Sequence, residues 1–286
     1  MDASRTPLPI VDKDRRLIAL FAGHPPDDNW QDEHRSAADE LEQARLKLFG
    51  KREAQEHRRG EFDTLRCGTS HGGGQREPSN LANSPKRTEV LERLNNHRVF
   101  KRLAGFASSV LCTWVPELYD YYTTYLGALY AGDHQLKRTF LSWIFTSTTY
   151  NLGPSTICFK HKDFANLPFG WCAVTALGDF DPKKGGHLVL WECGLVVEFP
   201  PGSTALLPSA TISHSNTAIG AQEHRFSFTQ YSAGALFRWV ENGFKKATTF
   251  EASLTAVEKE RRKQDNTARF LKGLGFFPIL RSSTST

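Results

Sequence analysis

Four side chains carry the chemistry this sequence can do. His161 and Asp163 form a His-x-Asp pair, and His214 and Arg225 follow downstream in that order. Two imidazoles and one carboxylate make a facial triad for non-haem Fe(II), leaving octahedral positions open for a co-substrate and O2. Residues i and i+2 share a face of a strand, so His161 and Asp163 can reach one metal from one strand end. The same period puts Arg225, Ser227 and Thr229 on one face of residues 223–231, with Phe226 and Phe228 on the other. An arginine fork beside a hydroxyl holds a distal carboxylate in bidentate fashion. A dicarboxylate held that way can chelate iron through its other end, which describes 2-oxoglutarate. His-x-Asp alone does not separate a ligand pair from a turn or a core histidine. The ordered set is more specific: His-x-Asp, Gly185-Gly186-His187, the Pro200-Pro201-Gly202 turn, His214, then Arg225-x-Ser227.

These residues need a rigid frame, and the pattern from Thr156 onward supplies one. Short apolar segments at 159–163, 170–176, 187–192, 195–199, 204–207 and 223–231 alternate with turns. That rhythm predicts an α+β fold with a β-sandwich or jelly-roll core and the preceding helices covering one sheet. Ser84-Pro85 starts a helix with an N-cap hydroxyl and proline at the first helical position, and Pro116 opens another. Residues 141–150 are apolar, β-branched and aromatic, and read as a strand entering the core.

The organisation expected is an arm over 1–32 with one short strand, a charged helix within 33–64, a catalytic core over 65–248, and a C-terminal helix and tail over 249–286 docked on that core. Residues 33–59 are rich in Ala, Glu, Gln, Arg and Lys, which predicts a solvated helix of high propensity. Its Lys47, Lys51, Arg52, Arg58 and Arg59 either keep it soluble or follow a phosphate backbone. Residues 67–85 are so rich in glycine and proline that they read as a loop, either a linker or a segment permitting close approach to another molecule. His71, Gln75 and Asn80 in it offer hydrogen bonds of the kind that read base edges.

Composition sets broader limits. The 286 residues carry a net charge of +5, which suits a polyanionic partner without requiring one. Five scattered cysteines lack Cys-x-x-Cys spacing and residues 1–16 are polar, so a reduced, intracellular compartment is expected. No apolar run approaches the ~20 residues of a membrane span. The basic cluster at 259–263 fits either nuclear import or ordinary solvated helix charges. A P-loop and a dinucleotide fingerprint are absent, as is the His-x-Glu with Pro-Cys-x-x-Cys of zinc deaminases.

HKDFANLPFGWCAVTALGDFDPKKGGHLVLWE and EFPPGSTALLPSATISHSNTAIGAQEHRFSFTQYSAGALFRWVENGF, preceded by CGTSHGGGQREPSNLANSP, resemble the fungal branch of the ten-eleven-translocation / J-binding-protein oxygenases. The resemblance covers roughly residues 65–245 and implies a double-stranded β-helix, cupin-like, that uses Fe(II), 2-oxoglutarate and O2 to oxidise the methyl group of a DNA base. It implies methylated double-stranded DNA as partner, a flipped-out base, and a nuclear, monomeric enzyme. It places His187 near the co-substrate, where the alternative is a structural histidine with its ring satisfied by backbone. It also places Asn166 on the base. Where animal-type relatives carry a base-contacting histidine, this chain has Ala233. The substrates implied are 5-methylcytosine first, then N6-methyladenine or both, with alkylated-base repair and a non-catalytic DNA-binding jelly roll as further alternatives.

Overall fold

The protein, seen as a computed structural model, is described over residues 6–141 and 144–281. Residues 1–5 of the expected arm, 142–143 of the expected strand and 282–286 of the tail lie outside the described residues. The arm is a hairpin instead, β1 (Leu8–Val11) and β2 (Leu17–Gly23), because Leu17, Leu20 and Ala22 bury in one apolar cluster and Ala19 and Phe21 in another, giving β2 two faces to cover. Helix α1 runs from Trp30 to Phe49 and stops at Gly50, whose φ of 66° leaves the helical region. The expected charged helix therefore ends well before residue 64. Nor is α1 merely solvated: Ala37, Ala38, Leu41 and Ala44 are buried. Small side chains let it lie close on the sheet.

After α1 comes a second hairpin, β3 (Glu56–His57) and β4 (Gly60–Glu61), then β5 (Asp63–Ser70) and β6 (Ser79–Asn80). The expected loop over 67–85 thus begins as strand. Gly68 sits inside β5, where a Cβ would collide with the Thr146 carbonyl of the neighbouring strand. Its glycine reflects close packing, not looseness. Three helices follow, α2 (Pro85–Asn96, capped by Ser84), α3 (Arg98–Trp114) and α4 (Pro116–Gly132).

The remaining strands are β7 (Ser147–Leu152), β8 (Cys172–Asp179), β9 (Leu188–Leu190), β10 (Leu195–Val197), β11 (Thr204–Leu207), β12 (His214–Asn216) and β13 (His224–Tyr231). Helices α5 (Gly234–Glu241), α6 (Ala247–Ser253) and α7 (Ala256–Gly275) close the chain. The large sheet has eight strands in the order β1-β2-β11-β8-β13-β7-β5-β6, and the small sheet runs β10-β9-β12, extended by an antiparallel bridge from His214 to His161. From β7 onward the chain crosses repeatedly between the sheets, which makes the jelly roll expected from the strand pattern, in the double-stranded β-helix form that the resemblance implies. The named strands of both pair antiparallel, and Ser155 adds one parallel bridge to Arg225 of β13.

Period-2 alternation then sorts the side chains. Phe226 and Phe228 pack with Tyr150, Leu65, Leu177 and Phe100 beneath the helices, while Ala176, Ala205, Phe199, Leu188 and Leu190 fill the space between the sheets. Among the described residues, α1, α2 and α3 pack on strands of the large sheet. C-terminal Phe276, Phe277 and Leu280 dock on the core, and Leu17 N–H and Arg15 C=O bond to Pro278 and Leu280.

Candidate metal centre

His161 and His214 face each other as a hydrogen-bonded cross-strand pair: the N–H of each donates to the carbonyl of the other, at 3.1 and 2.9 Å. Their rings are therefore brought together by the small sheet's own register, with centroids 4.3 Å apart. Each Nδ1 lies against a carbonyl two residues upstream, Phe159 for His161 (2.7 Å) and Ile212 for His214 (3.0 Å). A carbonyl only accepts, so Nδ1 of each ring carries a proton and Nε2 is the atom left to face the site. Burial, reinforced by the neighbouring His214, pushes His161 down to about 4, keeping that ring neutral at ordinary pH.

Asp163 completes the set. Its Oδ1 is 3.8 Å from His161 Nε2 and its Oδ2 is 3.8 Å from His214 Nε2. Ligand atoms from the three residues lie within 4.8 Å of one another. Two neutral imidazole nitrogens and a carboxylate oxygen suit a divalent first-row metal, and this N,N,O set matches the facial triad of non-haem iron. Backbone pairing fixes the carboxylate too, since Asp163 N–H donates to the Ser209 carbonyl at 2.8 Å.

Arg225 is 2% exposed, and Ser227 beside it is equally buried. Its Nη1 donates to the carbonyl and hydroxyl of Thr156 at 3.0 and 3.1 Å. Nε is buried without a partner, and no carboxylate among the described residues pairs with the guanidinium. Burial pushes its pKa down to about 10, so it remains a cation at neutral pH. The guanidinium lies 5.9 Å from the Phe180 ring, but a buried arginine without an anionic partner is costly. Its free Nε–Nη2 edge is the fork that an anionic ligand would satisfy. Ser227 Oγ accepts from Asn151 Nδ2 at 2.8 Å, which orients the hydroxyl.

The remaining expected residues divide. Asn166 donates from Nδ2 to Ser209 Oγ at 3.1 Å, leaving Oδ1 free, and forms a bridge with Ala233. The two positions that the family resemblance links to the base are thus neighbours. His71 packs edge-on against Trp239 of α5, with its Nδ1 buried and unpaired. Gln75 donates to Ser79 Oγ at 2.8 Å. Asn80 does not offer a base-reading edge: Nδ2 donates to the Gln135 carbonyl, and Oδ1 accepts from Lys137 N–H and Thr69 Oγ1. Its amide staples a loop. His187 Nε2 is likewise spent on the Pro182 carbonyl at 2.8 Å, the structural role named as its alternative.

Two residues not singled out by sequence, Asn216 and Glu192, and one read there only as a helix charge, Arg59, also shape the centre. Asn216 accepts from Cys158 N–H (2.8 Å) and donates to the Thr156 carbonyl (3.1 Å), tying the strand of His214 to the segment that anchors Arg225. Glu192 accepts from Ser213 N–H and Oγ and pairs with Lys162 at 2.9 Å, joining the two ligand segments from outside. Burial opposes its ionisation, but Lys162 and Ser213 hold the carboxyl down to about 2. Arg59 donates from Nη2 to Asp163 Oδ1 at 2.6 Å. A cavity of about 550 Å3 lined by Asn166, Leu167, Phe237, Arg238 and Lys272 lies nearby, but none of the three ligands lines it.

No protein-family model and no curated protein sequence matches the chain. Among solved structures it is similar to NgTET1 in complex with 5mC DNA, with a TM-score of 0.55 at 15% identity, covering 80% of this chain and 77% of that one. An oxidoreductase of the 2OG-Fe(II) oxygenase family from Burkholderia pseudomallei (TM-score 0.37, 18% identity, 68% and 76% coverage) and OsALKBH1 (0.36, 13%, 75% and 96%) are more distant. At these identities the likeness is one of fold. Among the described residues no helix is long and apolar enough to cross a membrane.

Proposed function

We propose that this double-stranded β-helix is an Fe(II)/2-oxoglutarate-dependent dioxygenase that oxidises the methyl group of a base in DNA, with 5-methylcytosine as the first substrate. The observation that carries the reading is Arg225: a buried guanidinium with an unpaired Nε and no acid partner among the described residues, in the same inter-sheet space as the triad. A metal site alone would leave that cation unexplained. A dicarboxylate that chelates the metal at one end and meets Arg225 at the other accounts for both.

His161, His214 and Asp163 would hold the iron, and Arg225, with Ser227 beside it, would hold the distal carboxylate of 2-oxoglutarate. When bound, iron supplies O2 activation and oxidation of a C–H bond, coupled to conversion of 2-oxoglutarate to succinate and CO2. The protein's contribution is orientation. Carbonyls fix both histidine tautomers, which keeps the Nε2 lone pairs aimed inward without reorganisation. Thr156 pins one end of Arg225 so that its other edge stays presented. Buried Asp163 and Arg225 sit too deep for a base inside a duplex, so the nucleotide must leave the stack. Support for DNA comes from the NgTET1 likeness in fold, the net positive charge, and the exposed Arg58 on the hairpin tip beside the centre. Asn166, with Oδ1 free, is assigned to the base edge, and N6-methyladenine is the second substrate of this reading.

Succinate release measured with unmethylated, 5-methylcytosine and N6-methyladenine duplexes tests this. Release that rises only with a methylated duplex is the expected result. Equal release with all three, no release with any, or release driven by a peptide instead, overturns it.

A further inference from the structure

The β3–β4 hairpin precedes the β-helix in the chain, yet its two-residue tip reaches the metal centre. Arg58 and Arg59 connect His57 to Gly60. The hairpin is docked firmly. Gly60 bridges to Cys158, Phe159 N–H donates to the Arg59 carbonyl at 2.8 Å, and Arg59 N–H donates to His57 Nδ1 at 3.1 Å. Only glycine fits at position 60, since a Cβ would collide with the Ile157 carbonyl. The tip then addresses two consecutive residues. Arg59 Nη2 donates to Asp163 Oδ1, and the Arg58 guanidinium lies 5.3 Å over the ring of Phe164.

The contact with Asp163 divides the carboxylate. Oδ1 is taken by a charge-assisted hydrogen bond of 2.6 Å, short enough to be strong. Oδ2, on the His214 side, accepts no hydrogen bond from any described residue. A carboxylate with both oxygens free can chelate a metal with both and consume one more coordination position. One oxygen already engaged by arginine leaves a single-oxygen ligand. Side-chain exposure is 10% for Asp163 and 38% for Arg59, so the bond is partly shielded from water.

We infer that Arg59 is the positioning residue of the metal carboxylate: it fixes Asp163 as a one-oxygen ligand and so preserves the open positions that a chelating co-substrate and O2 require. The inference rests on the iron reading of the triad. It competes with a second effect of opposite sign, because a guanidinium beside a dication also repels it. Substitution separates the two. Arg59→Lys keeps the charge and loses the planar donor geometry; Arg59→Met loses both.

The test is titration of the purified full chain with Co(II), which is redox-stable and whose visible d–d bands report coordination, with cooperative melting as a folding control. Removing an outer partner of a metal ligand typically costs 10- to 100-fold in affinity. Arg59→Met is expected to bind Co(II) roughly 10- to 100-fold more weakly with altered bands, and Arg59→Lys to recover part of the loss. Wild-type affinity and bands in both variants would overturn the inference, making the hairpin a structural feature. Tighter binding in Arg59→Met with wild-type behaviour in Arg59→Lys would also overturn it, since Arg59 would then act only as a repelling charge. Should either variant fail to melt cooperatively, the other decides by the same criteria; should both fail, Arg59 belongs to the fold and the inference is overturned. Failure of the wild type itself to bind Co(II), or undiminished binding by His161→Ala, would instead overturn the iron reading.

Discussion

Arg225→Lys gives the most direct test of the co-substrate site. In the native protein Nη1 is committed to Thr156, at 3.0 and 3.1 Å, and the Nε–Nη2 edge is free. A lysine ammonium at this depth keeps the charge but cannot bond Thr156 and both oxygens of a carboxylate at once. One charge-assisted hydrogen bond to the ligand is lost, worth about 1.5–3 kcal/mol. At about 1.4 kcal/mol per decade, the Kd for 2-oxoglutarate should rise roughly 10- to 150-fold. Calorimetric titration of the Mn(II)-loaded protein measures it without turnover. Thermal melting gives an independent readout. Ligand at a hundred times its Kd stabilises the wild type by about 2.7 kcal/mol, and Arg225→Met should show none of that gain at the same concentration. An unchanged Kd in Arg225→Lys, with the ligand-induced shift retained in Arg225→Met, would make Arg225 a structural arginine and remove the main support for 2-oxoglutarate.

Other expectations follow from the same geometry. His161→Ala, Asp163→Ala and His214→Ala should each abolish methylated-DNA-dependent succinate release while melting cooperatively, because the three residues sit on a frame the sheets hold without metal; wild-type turnover in any of them would contradict the triad. Asn166→Ala should lose a hydrogen bond worth on the order of 1–3 kcal/mol, lowering coupled oxidation roughly 5- to 150-fold with uncoupled 2-oxoglutarate decay unchanged. If coupled and uncoupled rates fall together, Asn166 only shapes its turn with Ser209. His34 is 1% exposed, and burial, then Arg35, hold it down to about 4 from an ordinary 6.5. The unfolded chain takes up this proton first, so stability should fall between about pH 6.5 and pH 4 and level off below, by roughly 3 kcal/mol at most. Urea melts of wild type and His34→Leu across that window check it, and parallel pH profiles would refute the assignment.

The ligand set was readable because its spacing is local. The two-residue spacing of Arg225 and Ser227 is that of β13, whereas the strand expected over 159–163 reduces to a single bridge from His161 to His214. What joins them is register, and register between segments as far apart as 161 and 214 leaves no mark in either one. Arg59 was hidden for a different reason. It lies in a stretch of good helix formers, and propensity favours continuing the helix that Gly50 ends. The Arg58-Arg59-Gly60 sequence did hold a turn signal, since a two-residue hairpin followed by a glycine of positive φ fits it. Alanine concealed the buried face of α1 because small side chains contribute little apolar periodicity. Asn80 misled in the opposite sense. An amide in a glycine-rich stretch looks available, but the Gln135–Lys137 backbone that occupies it is contributed from beyond α4.

An eight-stranded antiparallel sheet exposes two borders, and each is a place where a strand from another molecule could add on. Here one border is β1, with Leu8 and Val11 at 50% and 40% exposure, apolar enough to invite self-association. Pro9 sits between them and has no N–H to give a newcomer. The opposite border is β6, two residues long and entered directly from Pro78. Proline and brevity therefore guard the margins of the sheet that carries Arg225, so the frame that presents the cation between the sheets is also the one protected from growing into a fibre.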